Sequence, residues 1–276
     1  MNKTEQELTE AKLGPKQPFL VKLAKKYIVN KTQLFMMLIV IICFGAAMNV
    51  LKDIPATVQQ RTESNLSYRW PQWQDYYWAV GPTIFCYLCL CYTQQWFVPL
   101  FDLLVDPKYT GDVRREKVFK STKYIFKFLY FTASSIFGYY VLRDLQFFPA
   151  MALGRGDMNL VWKDWPYFNK TPYFDYYYVG QVGYHTASLF HHLHQTPRND
   201  FIELLLHHLI TVILMVFSYM TQYSNIGCIV LFIHDWSDIP IAMTRMCTDF
   251  KNKIPCVTFF IGILTIFGYS RIFVFP

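Results

Sequence analysis

Seven apolar segments constrain this chain more than any other feature, because each is close to the ~20 residues that a helix needs to cross a bilayer core of about 30 Å. They cover residues 34–51, 76–100, 124–142, 176–193, 201–220, 226–246 and 256–276. Hydrophobic residues make up 53% of the 276 residues and charged residues only 16%, against the ~25% charged residues of globular proteins. The sequence therefore predicts an all-α, polytopic integral membrane protein with about seven transmembrane helices in the lipid bilayer.

The basic residues between these segments predict an orientation. Lysine and arginine collect in the arm before the first segment and in the loops after the second and the sixth. Such loops stay on the cytoplasmic side, so we expect a cytoplasmic N-terminus and lumenal residues 52–75, 143–175 and 221–225. The net charge of +7 is then a topology signal, and we expect no nucleic-acid partner. Asn65-Leu-Ser67 would be a glycosylation acceptor on the lumenal side.

The same segments predict how the chain is organised. Residues 1–33 form a basic cytoplasmic arm, residues 34–75 a first anchor helix and a lumenal loop, and residues 76–276 a catalytic helix bundle. Cys86 and Cys89 form a C-x-x-C pair that no second pair follows at zinc spacing. We therefore expect no metal site.

An ordered set of polar and small residues interrupts the apolar segments between positions 198 and 238. Ionisable side chains in hydrocarbon are costly and usually mark a functional path. The set consists of Arg198, Asp200, Phe201, Glu203, His207, His208, Thr211, Ser218, Tyr219, Asn225, Gly227, His234, Asp235, Ser237 and Asp238.

This set resembles the signature of ceramide synthases, the amide-forming members of the TRAM–LAG1–CLN8 (TLC) membrane family. The resemblance implies a TLC-type helical barrel or bundle that encloses a polar site, in the endoplasmic reticulum membrane. It also implies that a fatty acyl-CoA acylates the amine of a sphingoid base to give (dihydro)ceramide. Acyl-CoA is then a co-substrate, and no cofactor is implied. The pattern does not distinguish a single chain from a homo- or hetero-oligomer.

The depths of the polar residues agree between two segments. At ~1.5 Å rise per residue, His207 and His208 lie roughly 10 Å inside the fifth segment, and Asp235 and Asp238 lie roughly 14–18 Å from the lumenal edge of the sixth. In a core of about 30 Å, both pairs fall in the cytoplasmic half. We therefore predict that these four residues form the catalytic site.

The residue types suit this chemistry. A neutral imidazole can take a proton from the sphingoid ammonium near pH 7, or it can attack the thioester first and carry the acyl group; the sequence leaves both routes open. Asp235 and Asp238 would jointly orient the imidazole and bind the ammonium. The remaining predicted substrate-binding residues are Arg198, Asp200, Glu203 and Ser237, together with four CoA-phosphate ligands in the basic loop 108–123: Arg114, Arg115, Lys117 and Lys120.

Other readings of these residues stay open. The histidine pair could pack between helices, the two aspartates could pair with Arg271, and the basic loop could face lipid headgroups. A non-enzymatic TLC relative that handles or translocates lipids is the alternative function. A membrane di-iron hydroxylase is a further one, but such enzymes need about eight clustered histidines, whereas this chain has seven and no H-x-x-H-H cluster.

Overall fold

The part of the chain that the structure describes is almost entirely helical. The computed structural model describes residues 71–163, 165, 170–195 and 200–274, all within one compact unit. Its helices are α1 Tyr77–Trp96, α2 Val98–Leu104, α3 Gly111–Leu142, α4 Phe174–His194, α5 Phe201–Met220, α6 Ser224–Cys247 and α7 Ile254–Tyr269. Within these residues, β-structure is limited to two isolated bridges. The all-α prediction is therefore confirmed.

All six predicted spans that fall in the described residues coincide with helices; the span 34–51 and the basic arm lie outside them. By length and composition, α3, α5 and α6 can each cross a membrane. Helices α1 and α2, bent by 54° at their junction, have the length and composition of a fourth span when they are counted as one broken span, and otherwise form a re-entrant loop. Helix α4 has 21 residues but carries glutamine, tyrosine and histidine side chains. Helix α7 is apolar and has 16 residues. The chain is thus a multi-pass helical membrane protein.

Helix α3 begins earlier than its apolar segment. The prediction of a loop up to residue 123 is wrong from Gly111 onward, because α3 already runs through the basic residues. Arginine, lysine and glutamate are good helix formers, so this stretch is helical without being apolar. The 32 residues of α3 span about 48 Å, which exceeds the ~30 Å hydrocarbon core. Its first turns therefore extend beyond the core.

Five helices close into a ring. In space the order is α1, α4, α5, α6 and α3, and α3 packs back onto α1. Trp78 meets Tyr176 near the starts of α1 and α4, and Cys91 meets His191 near their ends, so these two helices run parallel. Helix α7 packs on α6, outside the ring. The ring is the predicted helical barrel, and it determines which side chains face a common interior.

Prolines shape α1 and its junction with α2. Pro82 lies inside α1, where proline cannot donate a backbone hydrogen bond. The Thr83 hydroxyl donates to the Ala79 carbonyl at 2.7 Å. Pro99 occupies the first turn of α2, where a missing N–H costs little. The chain can therefore bend between Trp96 and Val98 without losing a backbone hydrogen bond at Pro99.

Part of the polar set has a packing role at the opposite end of the ring from the basic residues. The Asn225 side chain is fully buried and donates to the Val161 carbonyl. A Cβ on Gly227 would collide with the Tyr178 hydroxyl and the Ser218 Oγ. Gly227 is therefore needed for close approach of α6 to α4 and α5.

Candidate active site

The ring encloses a cavity of about 350 Å³ that all five helices line. Four helices supply most of its wall, from residues within Lys120 to Phe131 of α3, Tyr184 to His192 of α4, Phe201 to His208 of α5 and Asp238 to Arg245 of α6. The first residues of the ranges in α3 and α5 and the last residues of those in α4 and α6 lie at the same end of the ring, which is the basic end. The cavity therefore runs from a mouth at the basic end of the ring toward the middle of the barrel.

The wall of the cavity combines three kinds of side chain. Its cationic residues are Lys120, Lys123, Lys127 and Arg245. Its histidines are His185, His191, His192, His207 and His208. Leu90, Phe131 and Tyr184 contribute apolar and aromatic side chains. The wall therefore offers contacts to both an anionic group and an apolar group of a ligand.

The predicted pair His207 and His208 lies on the cavity wall, with ring centroids 5.6 Å apart. His207 is largely uncovered by protein. The Nδ1 atom of His208 is buried and has no hydrogen-bond partner among the described residues. His192 packs beside His208 at 5.6 Å, and its Nε2 donates to the Phe201 carbonyl at 2.9 Å. The end of α4 thereby anchors the start of the histidine-bearing helix.

Asp238 also lines the cavity, from α6. Lys127 on α3 is within electrostatic range of both Asp238 and Arg245. The structure therefore brings Asp238 together with the histidine pair in one chamber, and it adds a lysine to that chamber.

Asp235 lies outside the cavity wall, in a buried polar network one helical turn deeper. Its Oδ2 accepts a hydrogen bond from the Ser134 hydroxyl at 2.6 Å and another from the Gln181 amide. Gln181 also donates to the Ser134 Oγ at 2.7 Å and accepts from the Tyr130 hydroxyl at 2.8 Å. The network joins α3, α4 and α6. In this structure Asp235 is thus placed to hold helices together beneath the cavity.

The other motif residues are distributed unevenly. Asp200 lines the cavity at its mouth, whereas Glu203 is exposed on the first turn of α5. The Ser237 hydroxyl is directed to its own helix and donates to the His234 carbonyl at 2.8 Å. Arg198 lies outside the described residues. Of the three described motif residues that were predicted to bind substrate, Asp200 is therefore the one that the structure brings to the cavity.

The four predicted CoA ligands of the basic segment also separate. Lys120 lines the cavity, and Arg115 is exposed. Arg114 Nε lies 2.7 Å from Asp102 Oδ1. Lys117 and Lys120 reach the buried carboxylate of Asp249, at 3.2 and 3.7 Å.

Asp249 belongs to a clasp between two turns at the mouth. Its carbonyl accepts from the Asp106 amide at 3.1 Å. In the same turn, the Lys108 amide donates to the Asp106 carboxylate at 3.0 Å, which lowers the pKa of that carboxyl. Most of the basic segment is therefore engaged in structure around the mouth.

Sequence reasoning missed two cavity cations, Lys127 and Arg245. Both lie inside segments that were read as apolar spans, at 124–142 and 226–246. The rule that singled out the histidines, that an ionisable group at membrane depth marks a functional path, applies to both and could have found them. Within the described ranges, no group of three His, Cys, Asp or Glu side chains is arranged to hold a metal ion.

Comparisons with known proteins agree with the motif. The model of the TLC domain (TRAM_LAG1_CLN8) matches residues 120–276. Human ceramide synthase 4 is 27% identical over 191 residues, which are 69% of this chain and 44% of that protein. Mouse ceramide synthase 3 is 32% identical over 120 residues, 44% of this chain and 31% of that protein. Ceramide synthase LOH2 of Arabidopsis thaliana is 32% identical over 126 residues, 45% of this chain and 40% of that protein. The matched regions thus span less than half of each relative.

Proposed function

This chain belongs to the TLC domain family, and on that premise we propose that it transfers a fatty acyl group from acyl-CoA to the amine of a sphingoid base. The product would be ceramide or dihydroceramide, and the membrane would be that of the endoplasmic reticulum with the basic end of the ring in the cytoplasm. The similarity to three ceramide synthases supports this choice of reaction.

The observation that carries the proposal is the His208 ring on the wall of the cavity inside the ring of helices. A buried nitrogen that lacks a hydrogen-bond partner among the described residues is uncommon, because buried polar atoms are usually paired. A ligand that supplies a proton or a carbonyl group to this cavity would satisfy it. His207, Asp238 and Lys127 lie around the same cavity, so several polar groups converge where a substrate would bind.

The proposed reaction needs one proton acceptor and a good leaving group. The sphingoid ammonium first gives up one proton to water, and the freed nitrogen attacks the thioester carbonyl carbon while a neutral histidine takes a second proton from that nitrogen. The C–N bond forms, the C–S bond breaks, and the histidine passes its proton to the departing CoA sulfur, so that the products are the amide, the free thiol and one proton in water. In the two-step route the imidazole attacks the thioester first and releases the CoA thiolate, and the acyl group is then transferred from the imidazole to the amine. Asp238 would bind the ammonium or stabilise the imidazolium in either route.

The cations at the mouth would hold the phosphate groups of CoA. Lys120, Lys123 and Arg245 line the cavity near this end and Lys127 lies two turns beyond Lys120 on α3, and clustered cations attract a polyanion and raise its local concentration. Of the phosphate ligands predicted from the sequence, this proposal keeps Lys120. It replaces Arg114, Arg115 and Lys117 by the other cations of the cavity wall. The thioester would then point inward to the histidines.

An acyltransfer assay on microsomes that contain the protein tests the proposal. We expect the wild type to convert acyl-CoA and a sphingoid base to ceramide. His208→Ala should reduce that rate by at least the ~10²–10⁴-fold that a general base contributes. His194→Ala is the matched control, because His194 is on the neighbouring helix outside the cavity wall, where its Nδ1 donates to the Phe190 carbonyl at 2.8 Å.

The control should keep near-normal activity and accumulate like the wild type. Full activity of His208→Ala would remove that residue from the reaction. Absence of ceramide formation by the correctly inserted wild type, with every donor offered, would instead favour the non-enzymatic lipid-handling alternative.

A further inference from the structure

His185 lines the cavity from α4 and has no task in the reaction described above. Its side chain is half-buried, and within the described part of the chain its ring nitrogens take part in no hydrogen bond. Its ring meets that of Tyr184 edge to face, with centroids 5.3 Å apart. Polar atoms inside proteins are usually paired, so an imidazole whose nitrogens are left over on a cavity wall indicates a hydrogen bond to a ligand.

The register of α4 and α5 places His185 near the histidine pair. The His192 ring lies beside both Phe201 and His208, with centroid distances of 4.6 and 5.6 Å. His185 precedes His192 by seven residues, which is two turns along the same face of α4 and about 10 Å further from the mouth. There it lies within electrostatic range of His208 and His207. His185 and the pair therefore share one part of the cavity.

The turn of α4 that carries His185 is held in place by two neighbouring helices. Gln181, one turn further from the mouth, donates to Asp235 of α6. Tyr184 stacks on Tyr130 of α3, with ring centroids 3.7 Å apart. His185 is thus positioned before a substrate binds. A donor that is fixed in advance stabilises a developing charge well, because it does not have to reorient during the reaction.

The charges around His185 favour a hydrogen-bond donor over a proton acceptor. Besides the histidine pair, His234 of α6 and Lys127 of α3 lie within electrostatic range of its ring. A proton acceptor at this position would become a cation near the Lys127 ammonium, and like charges repel. A neutral imidazole already carries one N–H, which it can donate without gaining a proton.

We propose that His185 is a further catalytic residue, which donates its N–H to the carbonyl oxygen of the acyl thioester. The inference rests on the proposed function, because it takes the thioester to lie at the histidine pair. When a nitrogen adds to the carbonyl carbon, one electron pair of the C=O bond moves to the oxygen, which becomes negative. The pair returns when the C–S bond breaks. The proton of His185 stays on its nitrogen throughout, so the donor serves both the one-step and the two-step route.

Replacing the donor tests this inference. His185→Phe keeps an aromatic ring but has no N–H, and it should lower kcat by the ~10²–10³-fold that one such donor contributes. Both KM values should change little, because the interaction forms in the transition state. His185→Gln retains an N–H donor and should recover much of the lost rate. His194→Phe is the matched control and should keep the wild-type kcat, because His194 is exposed on the same helix and outside the cavity wall.

The same variants distinguish a donor from a packing residue and from a base. Unchanged kcat in His185→Phe would overturn the inference, and so would equal losses in His185→Phe and His185→Gln. The acidic limb of the pH profile of kcat/KM should stay in place in His185→Gln; a shift of that limb would make His185 a base and refute the donor role. If His185→Phe does not accumulate, His185→Ala takes its place, since it leaves space at the wall instead of filling it.

The carbonyl band of a bound analogue separates this inference from the proposed function. In a ketone analogue of acyl-CoA, a methylene group stands between the sulfur and the carbonyl, so the analogue binds without being cleaved. The infrared band of its isotope-labelled carbonyl should lie at lower frequency in the wild type than in His185→Phe, because the oxygen accepts a hydrogen bond. If the wild type forms no ceramide but the bands differ in this way, the reaction is wrong and the donor stands. If ceramide forms and the bands coincide, the donor is wrong and the reaction stands.

Discussion

Asp249→Asn is expected to loosen the mouth of the cavity. The Asp249 side chain is 7% exposed and lies 3.2 Å from the Lys117 ammonium and 3.7 Å from that of Lys120. Asparagine keeps the shape of the side chain and the backbone bond to Asp106 but removes the negative charge. The two lysines then remain close together without their shared carboxylate.

The structure sets the size of the effect. At an effective dielectric constant of ~20, the two separations correspond to gross attractions of about 5 and about 4.5 kcal/mol. Desolvation of the carboxylate offsets much of this attraction. The lysine side chains are 30% and 43% exposed, and ion pairs with exposed partners retain little net energy. Between these limits we expect a net loss of about 2 kcal/mol.

Thermal unfolding in detergent measures this loss. For a domain of this size, 1 kcal/mol shifts the midpoint by about 2–4 °C, so Asp249→Asn should lower it by about 4–8 °C. Asp106→Asn is the control, because its partner Lys108 is 58% exposed at 3.3 Å and such an exposed pair contributes little to stability. Lys117→Met should lower the thermal midpoint less in the Asp249→Asn background than in the wild type, because the interaction between the two side chains is already absent.

Activity gives a second, independent readout. Lys120 also lines the cavity, so removal of its competing carboxylate should lower KM for acyl-CoA while the protein becomes less stable. Equal midpoints for Asp249→Asn and Asp106→Asn would refute the stabilising role of the clasp. A higher KM for acyl-CoA in a variant that remains folded would refute the competition for Lys120.

Two further variants address the interior. Lys127→Met should raise KM for acyl-CoA by about tenfold to a hundredfold, because a charge-assisted contact contributes ~1.5–3 kcal/mol, and should leave KM for the sphingoid base unchanged. Initial rates would measure both constants, with Lys108→Met as the control. An equal rise in KM for both substrates would contradict this role of Lys127. Asp235→Ala should lower the thermal midpoint, because it leaves the buried donors of Ser134 and Gln181 unpaired at a cost of about 1–3 kcal/mol each. An unchanged midpoint combined with lost activity would instead make Asp235 a reacting group.

The positions of the helices could be read from the sequence, but some of their limits could not. Hydropathy located every apolar segment that is helical here. It placed the start of α3 at residue 124 instead of Gly111, because the preceding residues are charged helix formers. Hydropathy detects the apolar part of a helix, whereas α3 also includes a charged part that precedes the apolar segment.

The sequence indicated the histidine pair that lines the cavity, and its catalytic role stays a prediction, whereas the different positions of the two aspartates could not be read from the sequence. Asp235 and Asp238 are three residues apart, which places them on neighbouring faces and about 4.5 Å apart in depth. That difference is enough to direct Asp238 to the cavity and Asp235 to Ser134 and Gln181. The partners come from α3 and α4, and helix neighbours are a property of the ring that no local pattern contains.

Lys127 was missed for a different reason. A single cation among apolar residues hardly changes the average over a span, so the segment 124–142 still reads as hydrophobic. Its position only gains meaning when α6 is packed against α3 and brings Asp238 and Arg245 near it. The sequence of α3 marks Lys127 as an ionisable residue at membrane depth, but its partners follow only from the pairing of the two helices.

The closed ring also has a consequence for biosynthesis. A chain is made from its N-terminus, so α3 enters the membrane about 110 residues before the segment that carries Asp238. During that interval Lys127 lacks its counter-charge, and a lysine at membrane depth costs about 2.5–3.5 kcal/mol on insertion scales. The long sequence separation of the α3–α6 contact also makes ring closure a late and slow step. Helix α6 is therefore the element that completes the barrel, and a chain interrupted before Asp238 would expose a charged, unpaired helix to lipid.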